Sequence, residues 1–384
     1  MRSFGLPCRL MSHSSAASSS AGRLHVLTYN LLSPGYFRKA VPKSKGVKRV
    51  EASHAPVWSS RLAQALSVIS ELSCDVCALQ EVWFKKEYLQ QLDSALGREY
   101  AFVGAQRSGK KEDGVALLVR RASWSVLAQK SVQFGDEGDR ALALALLSPT
   151  RGGQPLLFAS LHLTFPHTAH DEPVRLGQAE AALSEIASFA AAHGASGAAC
   201  VLGGDLNGTT ADPAVCTLLL RGGFASAYAA VWGAEAAVTH VDHDGHAAGV
   251  DYVLFRQPRS GVGGSGEGQG ALSPLLAALL PADVPDATLM MRPVVQTKED
   301  VAAAAGALTA SGGRGLGAAS SNAGVGVGVG VDGAREPLPA DAEEGGGGSA
   351  GCFAGGARPM AALSWSDWCQ LSDHRVVCVT FGVS

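Results

Sequence analysis

The 384-residue sequence lacks the features of a membrane protein and of a disulfide-bonded secreted domain. It has no stretch of about 18 apolar residues free of charge and glycine, so we predict no transmembrane helix. Its eight cysteines show no paired spacing beyond Cys74-x-x-Cys77, which indicates reduced intracellular thiols. The net charge of −3 gives no general argument for binding nucleic acid or anionic membranes.

The first 23 residues contain no acidic side chain. Three arginines (Arg2, Arg9 and Arg23) and a serine-rich run at 12–20 fit an organellar transit peptide, and they also fit an ordinary disordered start. No clear apolar segment of a secretory signal is present. We therefore expect an intracellular protein, cytoplasmic or nuclear unless residues 1–23 direct it to an organelle.

Glycine and alanine are concentrated in one late region of the chain. The runs 324–331 and 345–348 have low complexity, whereas the apolar stretches 272–280 and 289–295 have a composition suited to local packing. The chain returns to a strand pattern afterwards, so we predict an insertion within a domain. The predicted units are a disordered or targeting segment 1–23, a catalytic domain of 24–256 plus 363–384, and a mostly disordered Gly/Ala-rich insertion 257–362.

Hydrophobic periodicity predicts both helices and strands. Helical spacing occurs at 61–72, 88–96 and 174–192. Apolar strand patterns lie between these helices, and between 102 and 147 several strands follow one another directly. This order favours a pair of mixed sheets over a doubly wound parallel sheet.

Polar residues suited to metal and phosphate chemistry stand at the ends of predicted strands. These segments contain Glu81, Asp205 with Asn207, Asp251, and Ser372-Asp373-His374. Strand ends are where α/β proteins place ligands. Carboxylates, an asparagine and a histidine that converge there suit one hard divalent cation and one phosphoryl group.

The same segments resemble the endonuclease/exonuclease/phosphatase superfamily, also called DNase I-like. The resemblance is carried by Thr28-Tyr29-Asn30, Leu79-Gln80-Glu81-Val82, Ser160-Leu161-His162-Leu163, Gly204-Asp205-Leu206-Asn207, Asp251-Tyr252 and Ser372-Asp373-His374. It covers residues 24–256 and 363–383. It implies an α/β (α+β) fold, the DNase I-like four-layer sandwich, with two packed mixed β-sheets flanked by helices.

The resemblance implies a magnesium site. Glu81 corresponds to the principal metal ligand, Asn30 to a residue that supports the metal or phosphate, and Asp373 to a further metal or water contact. A single carboxylate with waters and substrate oxygens suits Mg²⁺, which keeps much of its hydration. Mn²⁺ is an alternative cofactor.

It also implies the residues that handle water and phosphate. Asp205 would orient or deprotonate the attacking water, and Asn207 would donate to a phosphoryl oxygen. His374 would contact the scissile phosphate while Asp251 holds its other ring nitrogen, and His162 would be a second histidine on the phosphate. No covalent intermediate is expected, and no nucleophile-elbow motif is apparent.

Two further stretches resemble the carbon-catabolite-repressor, Angel and Nocturnin branch. They are Lys111-Glu112-Asp113-Gly114, and the segment from His162 to His167 followed by Arg175-Leu176-x-Gln178. Some uncharacterised plant-type members share the second stretch. The resemblance implies a nuclease acting on RNA, 3′-to-5′ and deadenylase-like, in which Lys111 and Arg175 contact the substrate. A helix-surface position for Arg175 is the alternative.

Other interpretations stay open. Gln80-Glu81-Val82-Trp83 is frequent among sphingomyelinase relatives, so a sphingomyelinase-type or inositol-phosphate phosphodiesterase or phosphatase is a second hypothesis. A catalytically silent scaffold is a third, but it predicts a replaced site residue, and none is replaced. The three histidines between 239 and 246 offer a histidine-metal site. The basic run 38–49 is either a phosphate-tracking segment or a solvated loop. We expect a monomer.

Overall fold

The computed structural model describes residues 22–36, 51–135, 138–209, 213–242, 245–259, 270–281 and 371–384. The predictions for residues 1–21, for the basic run, and for 282–362 concern residues outside these ranges. None of the helices in the described ranges combines the length and hydropathy that a membrane crossing requires.

The described residues form two large sheets, one short hairpin and five α-helices. The strands are β1 (Arg23–Asn30), β2 (Val76–Trp83), β3 (Tyr100–Gln106), β4 (Asp113–Arg120), β5 (Trp124–Gln133), β6 (Ala141–Pro149), β7 (Leu156–His162), β8 (Cys200–Asp205), β9 (Ala225–Ser226), β10 (His240–Val241), β11 (Ala247–Ala248), β12 (Asp251–Arg256), β13 (Leu272–Leu280) and β14 (Val376–Val383). The helices are α1 (Ala55–Leu72), α2 (Lys86–Leu96), α3 (Asp171–Ala192), α4 (Pro213–Arg221) and α5 (Ala227–Trp232).

Each large sheet is mixed and has a parallel pair at its centre. The first sheet has the order β13-β14-β1-β2-β4-β3, and the second has the order β5-β6-β7-β8-β12-β9. β1 and β2 run parallel, as do β7 and β8, whereas the other neighbours in these sheets are antiparallel. The arrangement of each sheet thus brings the ends of two central strands to the same edge.

The two sheets pack face to face, and helices cover their outer faces. Side chains from both sheets, including Val26, Val201 and Phe158, form the core between them. Helices α1 and α2 pack on the outer face of the first sheet, and α3 and α4 pack on the second. This arrangement confirms the four-layer sandwich that the sequence predicts.

Helix α1 begins earlier than its periodicity predicts. Its first turn contains Pro56, which is tolerated there because the first helical N–H groups have no partner within the helix. The helix ends at Leu72 and is capped by Ser73, whose φ of 50° lies in the left-handed region. The N–H of Ser73 donates to the carbonyl of Ile69 at 3.1 Å, which satisfies one of the last orphan acceptors.

Part of the predicted insertion belongs to the first sheet. Strand β13 pairs with β14 from Leu272 to Leu280 and forms the edge of the sheet. Its register shifts between Pro274 and Leu276, which suits an edge strand because proline has no N–H to donate. The apolar stretch 272–280, within the predicted insertion, thus packs with the domain, because Leu272 and Ala277 lie in the core between the sheets.

Candidate active site

The candidate site lies where the parallel pairs of both sheets end. Asn30 and Glu81 come from the ends of β1 and β2, and His162 and Asp205 end β7 and β8. His162 stands beside Asp205 in the parallel register. Asp251, the first residue of β12, stands beside Asp205 on its other side. The topology therefore gathers side chains that are far apart in sequence.

Two glycines allow the backbones to approach closely at this end. A Cβ at Gly203 would lie 2.5 Å from the Cβ of Ala78 on the opposite sheet. A Cβ at Gly204 would lie 2.4 Å from the carbonyl oxygen of Leu161 on the neighbouring strand. Both separations are far below van der Waals contact. The Gly203-Gly204 pair thus lets the second sheet present Asp205 against the first.

The backbone is strained at two of the site residues. Glu81 has a φ of 55° and Asn207 a φ of 48°, in the left-handed region that residues other than glycine seldom adopt. The register between β2 and β4 also shifts between Leu79 and Val82, so Glu81 lies in a bulge. Such conformations cost on the order of 1–3 kcal/mol each and concentrate at functional sites.

Asn30 links the residues of the two sheets. Its Nδ2 lies 3.3 Å from Glu81 Oε1, 3.1 Å from Asp205 Oδ2 and 3.3 Å from His374 Nε2. Its Oδ1 accepts from the N–H of Leu32 at 2.9 Å. An amide carries two hydrogens on nitrogen, so Asn30 donates to the two carboxylates when His374 is charged.

A buried arginine holds the backbone on both sides of the site. Arg61 donates to the carbonyls of Leu31, Leu32 and Leu371, and its Nε is 2.7 Å from Glu51 Oε1. This fixes the chain after β1 against the chain before β14. Ser372 Oγ donates to the Asn30 carbonyl at 2.7 Å, which closes the same junction.

His374 is charged by its neighbours. Its Nδ1 is 2.9 Å from Asp251 Oδ2, and its Nε2 is 3.6 Å from Asp205 Oδ2. Burial lowers its pKa, but the Asp251 and Asp205 carboxylates outweigh burial and raise the pKa of His374 to about 10. Thr239 Oγ1 donates to Asp251 Oδ2 at 2.7 Å and so fixes the carboxylate.

His162, in contrast to His374, is uncharged near neutral pH. Burial, followed by the positive charges of Arg140 and Arg107, lowers the pKa of His162 well below its ordinary value. A neutral imidazole can accept a hydrogen bond, and Asn207 Nδ2 lies 2.9 Å from His162 Nε2. The two histidines of the site therefore hold different protonation states near neutral pH.

The loop after β8 is held in place by its own hydrogen bonds. The N–H of Asn207 donates to Asp205 Oδ1 at 2.9 Å, and Asn207 Nδ2 donates to the carbonyl of Leu163 at 2.9 Å. Arg175 is buried beneath this loop and donates to the carbonyl of Asn207 and to Glu172. Arg175 is thus not on a helix surface. These contacts indicate a positioning role for Arg175, and its predicted contact with substrate stays a prediction.

Acidic side chains dominate the part of the site contributed by the first sheet. Burial, and then the charges of Asp113 and Asp373, raise the pKa of Glu81 to about 7. The N–H of Ser33, which donates to Glu81 Oε2 at 2.9 Å, partly opposes this rise. Burial also raises the pKa of Asp205. A cation bound beside these carboxylates would favour their ionised form.

Two groups of residues in the described ranges have ligand atoms close enough for a metal ion. They are His240 with Asp373 and His374, and Asp205 with Asp251 and His374, each within 4.8 Å. The second group contains the hydrogen-bonded pair of Asp251 and His374, and we infer that its two carboxylates keep His374 charged. The carboxylate oxygens of Glu81 and Asp373 fit a hard divalent cation better than this histidine does, and Asn30 Nδ2 supports Glu81 from beside it.

His240 joins the site although the sequence offered it only within a histidine-rich run. Its ring stacks on His374 with centroids 4.2 Å apart, and its Nε2 is 3.7 Å from Asp373 Oδ2. His246 is 79% exposed at its side chain and pairs with Asp242 at 3.1 Å. His243 lies outside the described residues. His240 and His246 therefore belong to different surroundings, which argues against one shared metal site.

A buried ionic network beside Glu81 went unrecognised in the sequence. Arg107 Nη1 is 3.2 Å from Asp113 Oδ2, and Tyr36 donates to Asp113 Oδ1 at 2.7 Å. Asp113 stands in the stretch from Lys111 to Gly114 that resembles the nuclease branch, and this resemblance is a sequence signal for Asp113. Lys111 itself is exposed in the loop before β4, and its contact with substrate stays a prediction.

Comparison with known proteins agrees with the fold. The chain matches the model of the Endonuclease/Exonuclease/phosphatase family over residues 27–273. It is 26% identical over 262 residues to an uncharacterized calcium-binding protein of Arabidopsis thaliana, covering 63% of this chain and 53% of that protein. It is 28% identical over 204 residues to human protein angel homolog 2, covering 49% of this chain and 35% of that protein.

Solved structures share the fold at low sequence identity. A humanized D. rerio TDP2 aligns with a TM-score of 0.53 at 15% identity, covering 94% of this chain and 100% of that one. The human Nocturnin catalytic domain with bound sulfate aligns with a TM-score of 0.51 at 16% identity, covering 69% of this chain and 89% of that one. The match over 27–273, the four-layer fold and the residues at its central strand ends show that this chain belongs to the endonuclease/exonuclease/phosphatase family.

Proposed function

We propose that the protein is a Mg²⁺-dependent phosphoester hydrolase that cleaves RNA from the 3′ end. One observation carries the hydrolase proposal: the residues implied by the sequence lie in one cluster joined by hydrogen bonds and ion pairs. They are Asn30, Glu81, His162, Asp205, Asn207, Asp251, Asp373 and His374. A scaffold that had lost catalysis would be expected to have lost at least one of them.

Asp205 is the proposed base. Its Oδ2 lies 3.4 Å from His162 Nε2 and 3.6 Å from His374 Nε2, and burial raises its pKa toward the range useful for accepting a proton. It would orient a water for in-line attack on phosphorus. The hydrogen bond from Asn30 holds the same oxygen at 3.1 Å and restricts the direction in which it accepts.

Two donors would face the phosphoryl group. His374 is charged, and its Nε2 proton would donate to a non-bridging oxygen as negative charge develops there. Asn207 would donate through Nδ2, which exchanges its partner His162 for the substrate. A divalent cation bound by Glu81 and Asp373, with Asn30 in support, would supply further neutralisation of the phosphate.

The RNA part of the proposal rests on the relatives. Protein angel homolog 2 and Nocturnin belong to the branch that the stretches at Lys111 and His162 resemble. The chain's match spans about half of the Arabidopsis relative and about a third of angel homolog 2, so their whole activities are not carried over. Trp83, which prompted the sphingomyelinase alternative, packs in the core against Trp58 and Tyr88, so it adds no support to that alternative.

The test is a substrate and metal panel on the purified protein. Labelled poly(A), mixed RNA, DNA of the same sequence, sphingomyelin vesicles and inositol polyphosphates would each be incubated with Mg²⁺, Mn²⁺, Ca²⁺ or chelator. Ca²⁺ is included because the Arabidopsis relative is named calcium-binding. We expect 3′-end shortening of RNA with Mg²⁺ and none with chelator. Cleavage of a lipid or inositol substrate with intact RNA would replace the RNA proposal.

A matched pair of variants tests the site itself. Glu81→Gln should reduce turnover by about 100-fold or more, because it removes the proposed metal carboxylate and retains the shape of the side chain. Glu87→Gln changes an exposed residue of α2 and should leave turnover unchanged. Equal activity of the two variants would refute the assigned metal site.

We also propose a monomeric, intracellular protein. Light scattering after size-exclusion chromatography tests the first point, and fluorescence microscopy of C-terminally tagged chains with and without residues 1–23 tests the second. A dimeric mass or secretion into the medium would overturn the respective proposal.

A further inference from the structure

Two buried arginines lie beside the site, and they differ in their partners. Arg107 Nη1 pairs with Asp113, Nη2 donates to the Gly138 carbonyl at 2.9 Å, and Nε donates to the Asp139 carbonyl at 3.2 Å. All of its nitrogens are engaged, so Arg107 fixes the loop that leads into β6. Ser108 Oγ donates to Asp139 Oδ1 at 2.7 Å and holds the same loop.

Arg140 follows Asp139 in this loop and lies directly before β6. It is 8% exposed, and among the described residues neither its Nε nor its Nη1 has a hydrogen-bond partner. Buried guanidinium N–H groups without acceptors are strongly unfavourable and call for an explanation. One explanation is a ligand with anionic oxygens, since a guanidinium has a planar fork of donors that is suited to phosphate.

The surroundings of Arg140 connect it to the site. Arg140 precedes β6, and β6 pairs with β7, the strand that ends at His162. The Arg140 charge lowers the pKa of His162. Burial and Arg107 lower the pKa of Arg140 itself to about 10, while Asp113, Glu81 and Asp205 oppose this. Arg140 is thus a cation at neutral pH whose charge interacts with the predicted metal carboxylate Glu81 and the predicted base Asp205.

We propose that Arg140 is a further catalytic residue, whose Nε and Nη1 donate to a non-bridging oxygen of the phosphoryl group that is cleaved. The proposal rests on the function proposed above. It explains why Nε and Nη1 of this buried arginine find no acceptor in the part of the chain that the structure describes, whereas all nitrogens of Arg107 have one. In this arrangement Arg107 is a positioning residue, because its hydrogen bonds hold the backbone of 138–139 and the side chain of Asp113.

The test compares Arg140→Met, Arg140→Lys and Arg98→Gln, which removes an exposed charge. Hydrolysis of a single-stranded RNA oligonucleotide with Mg²⁺ gives kcat/KM, and thermal unfolding gives the Tm with and without inorganic phosphate. Arg140→Met should lower kcat/KM by about 100- to 1,000-fold. Without phosphate, its Tm should equal or exceed that of the wild type, because an unpaired buried charge is removed.

Inorganic phosphate should raise the Tm of the wild type and of Arg98→Gln but not that of Arg140→Met. Arg140→Lys should keep part of this shift, because it retains the charge without the fork. A lower Tm of Arg140→Met without phosphate would indicate a structural role and overturn the proposal. The proposal would also be overturned if phosphate raised the Tm of wild type and Arg140→Met equally, or raised neither. A kcat/KM of Arg140→Met within about threefold of the wild type would overturn it as well.

The phosphate measurement separates this proposal from the proposed function. If the wild type cleaves none of the substrates, yet phosphate stabilises it and not Arg140→Met, the hydrolase proposal fails and the anion site at Arg140 stands. If RNA is cleaved equally by both proteins, the hydrolase proposal stands and the role of Arg140 is refuted.

Discussion

Replacing Asp251 with asparagine should change the pH dependence of catalysis, because Asp251 is the largest of the charges that keep His374 protonated. With a pKa of about 10, the imidazole of His374 is almost entirely charged at pH 7.5. Without the Asp251 carboxylate, 2.9 Å from Nδ1, the pKa should fall toward the ordinary value of about 6.5. About a tenth of the molecules would then carry the charge at pH 7.5, and about nine-tenths at pH 5.5.

The expected loss of kcat in Asp251→Asn is therefore at least about tenfold at pH 7.5, and more where the ring is misoriented. Part of this loss should be recovered toward pH 5.5, whereas the wild type should show no such gain from this group. The assay is kcat against pH with saturating RNA and Mg²⁺, alongside NMR titration of the His374 ring. Asp242→Asn, in the loop after β10, controls for loss of a nearby carboxylate.

Parallel pH profiles of Asp251→Asn and the wild type would refute the reasoning. They would mean that His374 does not act through its charge, or that Asp251 does not supply it. An NMR pKa of His374 that stays near 10 in the variant would point to Asp205 as the dominant partner.

Two further predictions concern the packing that assembles the site. Gly203→Ala should destabilise the protein by about 1–3 kcal/mol and reduce activity, because its Cβ would lie 2.5 Å from that of Ala78, whereas Gly177→Ala on α3 meets nothing within 4 Å and should stabilise it slightly. Urea denaturation checks this pair, and equal midpoints would contradict the close approach of the sheets. Arg61→Met should cost about 3–5 kcal/mol, because Glu51 is left buried without its partner. If Glu51→Gln combined with Arg61→Met recovers none of this stability, unpaired charge is not the cause.

The strand ends were readable from the sequence because their signals are local. An apolar run followed by Glu81, or by Asp205 and Asn207, indicates both the strand and the polar residue that it delivers. The fold followed from the resemblance and is confirmed. The roles given to the site residues stay predictions.

The partners across the site were not readable in the same way. Arg107, Arg140 and His240 act through contacts with residues far away in the chain, and no short motif marks them. Strand β13 was hidden for a different reason. Its apolar pattern lies in glycine-rich surroundings, and an edge strand gains its stability from its neighbour in the sheet, here β14, rather than from its own composition.

The charges of the site explain why a divalent cation fits there. When fully ionised, the described carboxylates of the site exceed the cationic side chains around them. The carboxylates are Glu81, Asp113, Asp205, Asp251 and Asp373, and the cations are Arg107, Arg140 and charged His374. Two negative charges remain, and burial together with the charges of Asp113 and Asp373 raises the pKa of Glu81 to about 7. A divalent cation would balance this excess. An incoming phosphate would add negative charge again. The Nε and Nη1 groups of Arg140, which have no acceptor among the described residues, would donate to it beside His374 and Asn207.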